Sequence, residues 1–288
     1  MRHTPRPGPA PDAVRIPAAD GYALAGTAFT VRDDLTGVVL VAPATGARRT
    51  LYRHFADHLA SRGLAAITWD WRGTGDSRPE SLRGFRATMR DWAERDLAGV
   101  ITWARERFAG APVLAVGHSF GGQAMGLAPN AHLLRALVTV GAQSGWWGHW
   151  PLPRRWAYAL LWHVAMPAAT SAAGYFPARR LGLGEDLPAG VAREWAAWCR
   201  SPRYLGDWSG HRRFAAPILA WSFTDDPLAP PNAVAALHAQ YVAAPLLHRT
   251  VTPREVGVAR IGHFGFFRPG VPSLWRETSD WLLDAARG

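Results

Sequence analysis

The chain has 288 residues, 48% hydrophobic and 19% charged, which reads as an ordinary globular protein, long for one domain, short for two full ones and ample for a buried core. No stretch approaches the roughly 20 apolar residues of a membrane span, so no such span is expected. The net charge of +10 rests on 32 basic residues, all arginine, scattered in runs no longer than two; this argues against a nucleic-acid interface and leaves an anionic substrate or loose adhesion to acidic surfaces open.

Residues 1–12 are Pro-rich without an apolar run, so they are expected to form a frayed leader rather than a secretory signal, and the location is expected to be cytoplasmic. Segments 14–16 and 22–29 flank an Ala-Asp-Gly turn signal and predict an opening antiparallel hairpin. Residues 37–42 (GVVLVA) form a short apolar run fit for a buried strand, and 50–62 puts Tyr52, Phe55 and Leu59 on one helical face. A strand is predicted at 64–70, a helix over 87–108 through Trp92, Leu97, Ile101, Ala104 and Phe108, and another buried strand at 112–117. A helix over 119–128 and a strand over 136–140 follow.

The alternation breaks over 141–212, where strand-like runs disappear and eight of the 15 tryptophans gather. Strands resume at 217–223 and near 246–251, with helices over 232–241 and 273–286, the last turning Leu274, Trp281 and Leu282 inward. Apolar strands alternating with amphipathic helices require a mainly parallel sheet covered on both faces, here interrupted by an insertion. Cys199 is the only cysteine, which excludes an internal disulfide and a cysteine-based metal cluster; it is expected to pack in the interior.

Gly117-His118-Ser119-Phe120-Gly121-Gly122 follows the apolar strand directly and precedes a helical stretch, the strand–turn–helix context of a nucleophile elbow. Such a turn strains its central residue, and flanking glycines remove side chains that would collide. Ser119 is therefore the candidate nucleophile, with the Phe120 N–H, at the helix start, able to face a developing oxyanion. The rival reading is a plain Gly-rich turn. A serine hydroxyl needs a base. Of 11 histidines, His263 sits in a Gly-flanked loop between the last predicted strand and the final helix, where a hydrolase of this type carries its histidine. His118, adjacent to Ser119, is read as packing or support, and His54, His58 and His238 as surface or core residues on helices. The orienting carboxylate belongs at the end of the strand 217–223, where Asp225 and Asp226 compete; Asp226 is favoured and Asp225 is the fallback.

These motifs together resemble the α/β-hydrolase superfamily over nearly the whole chain after the leader, and within it the serine-aminopeptidase/monoacylglycerol-lipase-like group of predicted hydrolases. Gly262-His263-Phe264 is similar to the histidine loop and Asp226-Pro227-Leu228-Ala229-Pro230 to the acid loop, with its proline four residues on. Asp70-Trp71-Arg72-Gly73-Thr74-Gly75-Asp76-Ser77 looks like the loop after the fourth strand, in which Asp70 and Arg72 brace rather than react.

The resemblance implies an α/β fold with a mostly parallel eight-stranded sheet flanked by helices and a helical cap inserted after strand six, the core being 13–140 and 213–288 and the cap 141–212. Where relatives often carry His-Gly after the third strand, this chain has Pro43-Ala44-Thr45-Gly46; Thr45 is then the second oxyanion donor, through its backbone. In the cap, the eight tryptophans with Leu160, Leu161, Val164, Met166 and Phe176 either suit an apolar acyl or aromatic group or form the cap's own small core, and Trp146, Trp147 and Trp150, nearest the strand end, are the expected substrate contacts. The activity implied is cleavage of a carboxylic ester or thioester of a small, largely apolar acyl substrate through an acyl-enzyme. A triad-dependent acyltransferase, cyclase or lyase, or a non-catalytic ligand-binding protein on the same fold, stays open. No cofactor and no metal are implied. The partner expected is a small-molecule acyl substrate, with no nucleic acid, and a homodimer is left open.

Overall fold

Eight strands build one twisted sheet in the order β1-β2-β4-β3-β5-β6-β9-β10: β1 Asp12–Pro17, β2 Ala23–Phe29, β3 Gly37–Ala42, β4 Leu64–Trp69, β5 Val113–His118, β6 Leu137–Val140, β9 Ile218–Phe223 and β10 Leu246–Val251. The computed structural model describes residues 10–31 and 34–288, so most of the expected leader, residues 1–9, lies outside the described residues; of its remainder, Asp12 already pairs with Ala28 in the opening hairpin. The pairs β1/β2 and β2/β4 are antiparallel and every pair from β4 to β10 is parallel.

The two-residue period of a strand decides which core each side chain enters. Val38, Leu40 and Ala42 of β3 face one apolar layer with Trp69, Trp92 and Ile101, whereas Val39 and Val41 face the other with Tyr52, Phe55, Phe267 and Leu282. Helices Ala98–Arg107 and Pro272–Arg287 cover opposite faces accordingly. The strand β10 is exposed along most of its length, as its mixed sequence LLHRTV and edge position require. In the final helix Leu283 is buried with Leu274 and Leu282, and Trp281 is half-buried at the margin.

Two expectations shift. The helix after Ser119 spans only Phe120–Ala124, because Gly126 lies against the His211 ring and Pro129 follows closely. Segment 141–212 is mainly helical, with Arg154–Leu160, Met166–Ala173, Ala189–Arg200 and Ser209–Arg213, but it also holds a small antiparallel ribbon of β7 Tyr175–Phe176 and β8 Leu187–Pro188, too short to leave an alternating signature. Among the described residues no helix is long and apolar enough to cross a membrane.

The chain runs from β3 to β4 on one side and returns to β5 on the other, so the carboxyl ends of β3 and β5 lie side by side with Ala42 opposite Gly117. Open α/β sheets bind ligands in the crevice at such a reversal of strand order.

Candidate active site

Ser119 follows β5 with φ 50° and ψ −114°, a strained conformation for a residue with a side chain. The turn survives because its neighbours are small: a Cβ on Gly121 would lie 2.2 Å from the Ala42 carbonyl oxygen, and one on Gly117 would lie 2.5 Å from Gly122. The Ser119 N–H donates to the Val140 carbonyl at 2.9 Å, fixing the elbow to β6. Phe120, the next residue, packs against both Trp71 and Trp92, which stack on each other. Among the described residues, neither the Phe120 nor the Thr45 N–H has an intramolecular acceptor, and both residues line a cavity of about 550 Å³ together with Ser119 and His263.

Asp225 and Asp226 divide two tasks. Asp226 Oδ2 lies 2.7 Å from His263 Nδ1, while its Oδ1 accepts the Leu228 and Ala229 N–H groups at 2.8 and 3.1 Å. A carboxylate in that position makes Nδ1 the donor and leaves Nε2 as the acceptor. Gly141, at φ +57°, leaves room for the pair: a Cβ there would stand 3.2 Å from Asp226 Oδ2. Asp225 turns away and accepts the N–H groups of Ile261 and Gly262 at 2.9 and 3.0 Å, tying the acid loop to the two residues before His263. No hydrogen bond joins Ser119 Oγ to His263 among the described residues; such contacts are often long in ligand-free sites.

His118 does not point at the site. Its Nε2 donates to the His263 carbonyl at 2.8 Å, so its Nδ1 accepts from Tyr52 Oη at 2.9 Å, and Tyr52 in turn accepts the Ala44 N–H at 2.9 Å. Burial, with His263 alongside, holds the His118 imidazole well below its ordinary pKa, so it is neutral and supports loops on both sides of the cavity. Asp70 accepts the Arg49 and Asp76 N–H groups, and Arg72 bonds Asp96 at 2.6 Å and Asp20 at 2.7 Å, the bracing roles read from sequence.

The cavity is walled by core loops on one side and segment 141–212 on the other, and here the sequence expectation needs correction. Of Trp146, Trp147 and Trp150, only Trp150 lines it, and its indole donates to the Pro227 carbonyl of the acid loop at 2.9 Å. Trp146 and Trp147 are half-buried and pack on His149, Trp156 and His163, because the short turn Trp147–His149 swings them away from the strand end. Leu161, Met166 and Phe176 face the cavity as expected, but Leu160 and Val164 are 60% and 55% exposed, on the outer side of the same helical run. Trp162 and Trp195, two of the eight cap tryptophans but not the three expected as contacts, line the wall, and Tyr158 was missed; Tyr158 and Trp162 are four apart on one helical face, a spacing that could have singled them out. Gln123, four residues after Ser119, was also missed; it accepts from Tyr204 Oη at 2.7 Å and lines the cavity with Gln143. Cys199 is buried, as expected, and also borders the cavity.

The family described as Serine aminopeptidase, S33 matches residues 33–180, just over half of the chain, from before β3 past the elbow into segment 141–212. The chain belongs to this family of α/β-hydrolases. The match takes in Ser119 and Thr45 and stops before the Asp226 and His263 loops. No curated protein matches the sequence. Among solved structures, a soluble variant of monoglyceride lipase from Saccharomyces cerevisiae in complex with a substrate analog is similar with a TM-score of 0.67 and 14% identity, covering 99% of this chain and 97% of that one. An esterase from Exiguobacterium antarcticum superposes with a TM-score of 0.60 at 15% identity, covering 96% of this chain and 100% of that one. A monoacylglycerol lipase from Paleococcus ferrophilus has a TM-score of 0.58 at 15% identity over 91% of this chain and 99% of that one. At these identities the likeness to this S33-family member is one of fold.

Proposed function

We propose that this protein is a serine hydrolase cleaving a carboxylic ester, or its thioester counterpart, of a largely apolar acyl substrate, with Ser119 as nucleophile, His263 as base and Asp226 orienting the imidazole. The observation that carries the reading is that a strained Ser119 and a His263 hydrogen-bonded to buried Asp226 border one cavity whose wall is mostly apolar. In this reading Ser119 Oγ attacks the acyl carbonyl as His263 Nε2 takes its proton. Asp226, on Nδ1, stabilises the imidazolium that forms. The Phe120 and Thr45 N–H groups receive the oxyanion, each worth about 3 kcal/mol of transition-state stabilisation. His263 then returns the proton to the leaving oxygen or sulfur, and water, activated by the same base, releases the acyl group from Ser119. Segment 141–212 serves as the substrate-binding cap.

The family's description names an aminopeptidase, which has to bind a free amino terminus, and the carboxylate available for that in the cavity wall is Glu185. Glu185 is already engaged by the Arg179 guanidinium at 2.5 Å and the Gly75 N–H at 3.2 Å, which favours esters over peptides. The printed names of the lipase and esterase neighbours agree with that preference.

Labelling of the purified protein with a fluorophosphonate probe tests the proposal. Wild type should label; Ser119→Ala should not, and His263→Ala should label far more slowly. A folded wild type that resists the probe would sink the hydrolase reading.

A further inference from the structure

Thr45 stands in a tight turn in which the Ala47 N–H donates to the Ala44 carbonyl at 3.1 Å. Two holds on this turn come from the core: the Trp71 indole donates to the Pro43 carbonyl at 3.0 Å, and the Ala44 N–H donates to Tyr52 Oη at 2.9 Å. A third comes from the inserted segment, where the Glu185 N–H donates to the Gly46 carbonyl at 2.9 Å. A carbonyl and the N–H that follows it belong to one rigid peptide plane. Glu185 therefore fixes the Gly46–Ala47 plane, and the Ala47 N–H of that plane fixes the Ala44–Thr45 plane through the Ala44 carbonyl. The far end of this second plane is the Thr45 N–H. Hydrogen bonds joined in such a chain also polarise one another. Two features keep Glu185 in place. Gly184, at φ +101°, passes so close to the turn that a Cβ there would lie 2.6 Å from the Gly46 carbonyl oxygen. The buried Glu185 carboxylate anchors the strap 182–185 by accepting the Gly75 N–H at 3.2 Å and the Arg179 guanidinium at 2.5 Å.

We propose that Glu185, through its backbone N–H, and Gly184, through its lack of a side chain, are positioning residues that set the second oxyanion donor from the inserted segment. That segment then contributes to the chemical step and not only to substrate binding. The proposal rests on the ester-hydrolase reading above, in which the Thr45 N–H receives the oxyanion. A donor displaced by about 1 Å is lost mainly to the transition state, whose oxygen has moved and gained charge, and far less to the ground-state ester.

Gly184→Ala, which forces the strap off the Gly46 carbonyl, tests this. With p-nitrophenyl butyrate, kcat should fall about 10- to 100-fold while KM stays within about twofold. A butyl trifluoromethyl ketone, which forms a tetrahedral adduct on Ser119, should lose affinity by the same factor. A strap that only shaped the pocket would raise KM and leave kcat unchanged. The Thr45 amide signal, read in protein labelled at threonine and assigned by its loss in Thr45→Ser, should move in Gly184→Ala while that of Thr139 in β6 stays. Should Gly184→Ala not fold, Glu185→Ala, which frees the strap from Gly75 and Arg179, carries the same readings with the same signs. A wild type that neither cleaves the ester nor binds the ketone fails the hydrolase reading itself. An active wild type whose kcat survives the substitution, or whose Thr45 signal stays in place, overturns this proposal alone.

Discussion

Adjacent aspartates at the end of β9 look equivalent in sequence and are not equivalent in chemistry. Asp226 touches the imidazole and is held by two backbone N–H groups of its own loop; Asp225 holds two N–H groups of the histidine loop. In the proposed mechanism Asp226→Asn keeps the shape but loses the charge that fixes the tautomer, so kcat should fall by roughly 10³–10⁴ with little change in stability. Asp225→Ala removes the acceptor of the N–H groups of buried Ile261 and Gly262, a loss of order 1–3 kcal/mol in stability, with a much smaller kinetic effect. Steady-state ester kinetics beside urea unfolding of both variants reads the contrast. Equal kinetic losses would mean that the two carboxylates share one task. The proline four residues after Asp226 favours it through the family resemblance, with Asp225 as the fallback, but only the direction in which each carboxylate leaves the turn separates their tasks.

At the scale of elements, the parts set by local pattern were legible and the parts set by aromatic packing were not. Strands 37–42 and 246–251 fall where their apolar or β-branched runs place them, and the elbow is recognisable because its glycines meet a backbone constraint. Gly121→Ala should therefore be severe: its Cβ would enter the space of the Ala42 carbonyl, which cannot move without disturbing the β3–β5 ladder. A loss of at least about 3 kcal/mol is expected from such overpacking, read as a lowered urea midpoint at unchanged m-value. A loss under about 1 kcal/mol would show that the elbow has slack. In segment 141–212, by contrast, nearness in sequence misled. Trp146 and Trp147 come first after β6 yet turn away from the cavity into a half-buried aromatic cluster, while Trp162 and Trp195, far along the chain, meet at the cavity. Which of eight tryptophans turns inward depends mainly on how short helices and a two-strand ribbon pack, and the four-residue spacing of Tyr158 and Trp162 is the one local sign of it.

Over the whole molecule, three histidines from separate elements are buried: His118 at the end of β5, His211 in the inserted segment and His238 on the helix Pro231–His238. His118 is fully buried; His211 donates to the Gln123 carbonyl at 3.0 Å and His238 to the Val234 carbonyl at 2.8 Å while accepting from Thr139 Oγ1. Burial lowers the pKa of both His211 and His238 to about 4, so the folded state keeps them neutral. In the unfolded chain each takes a proton near its ordinary value of about 6.5. Between those values the unfolded state binds more protons, so stability is complete above about pH 6.5 and declines as the pH falls toward 4. Each group contributes about 3 kcal/mol to that decline when the shift is converted at about 1.4 kcal/mol per unit. Asp20, held low by hydrogen bonds from Arg72, loses its contribution only below about pH 4, outside the histidine window, whereas burial pushes Asp96 up to about 7, so the folded state takes up that proton within the window and opposes part of the decline. Urea unfolding at steps between pH 7.5 and 4.5 should therefore show a net fall below about pH 6.5, shallower than the histidines alone would give. His238→Gln, which can still donate to Val234 and accept from Thr139, should flatten it by about one proton's worth of slope. An unchanged slope in that variant would mean that His238 takes up its proton in the folded state as readily as in the unfolded one, and that burial alone does not govern its charge.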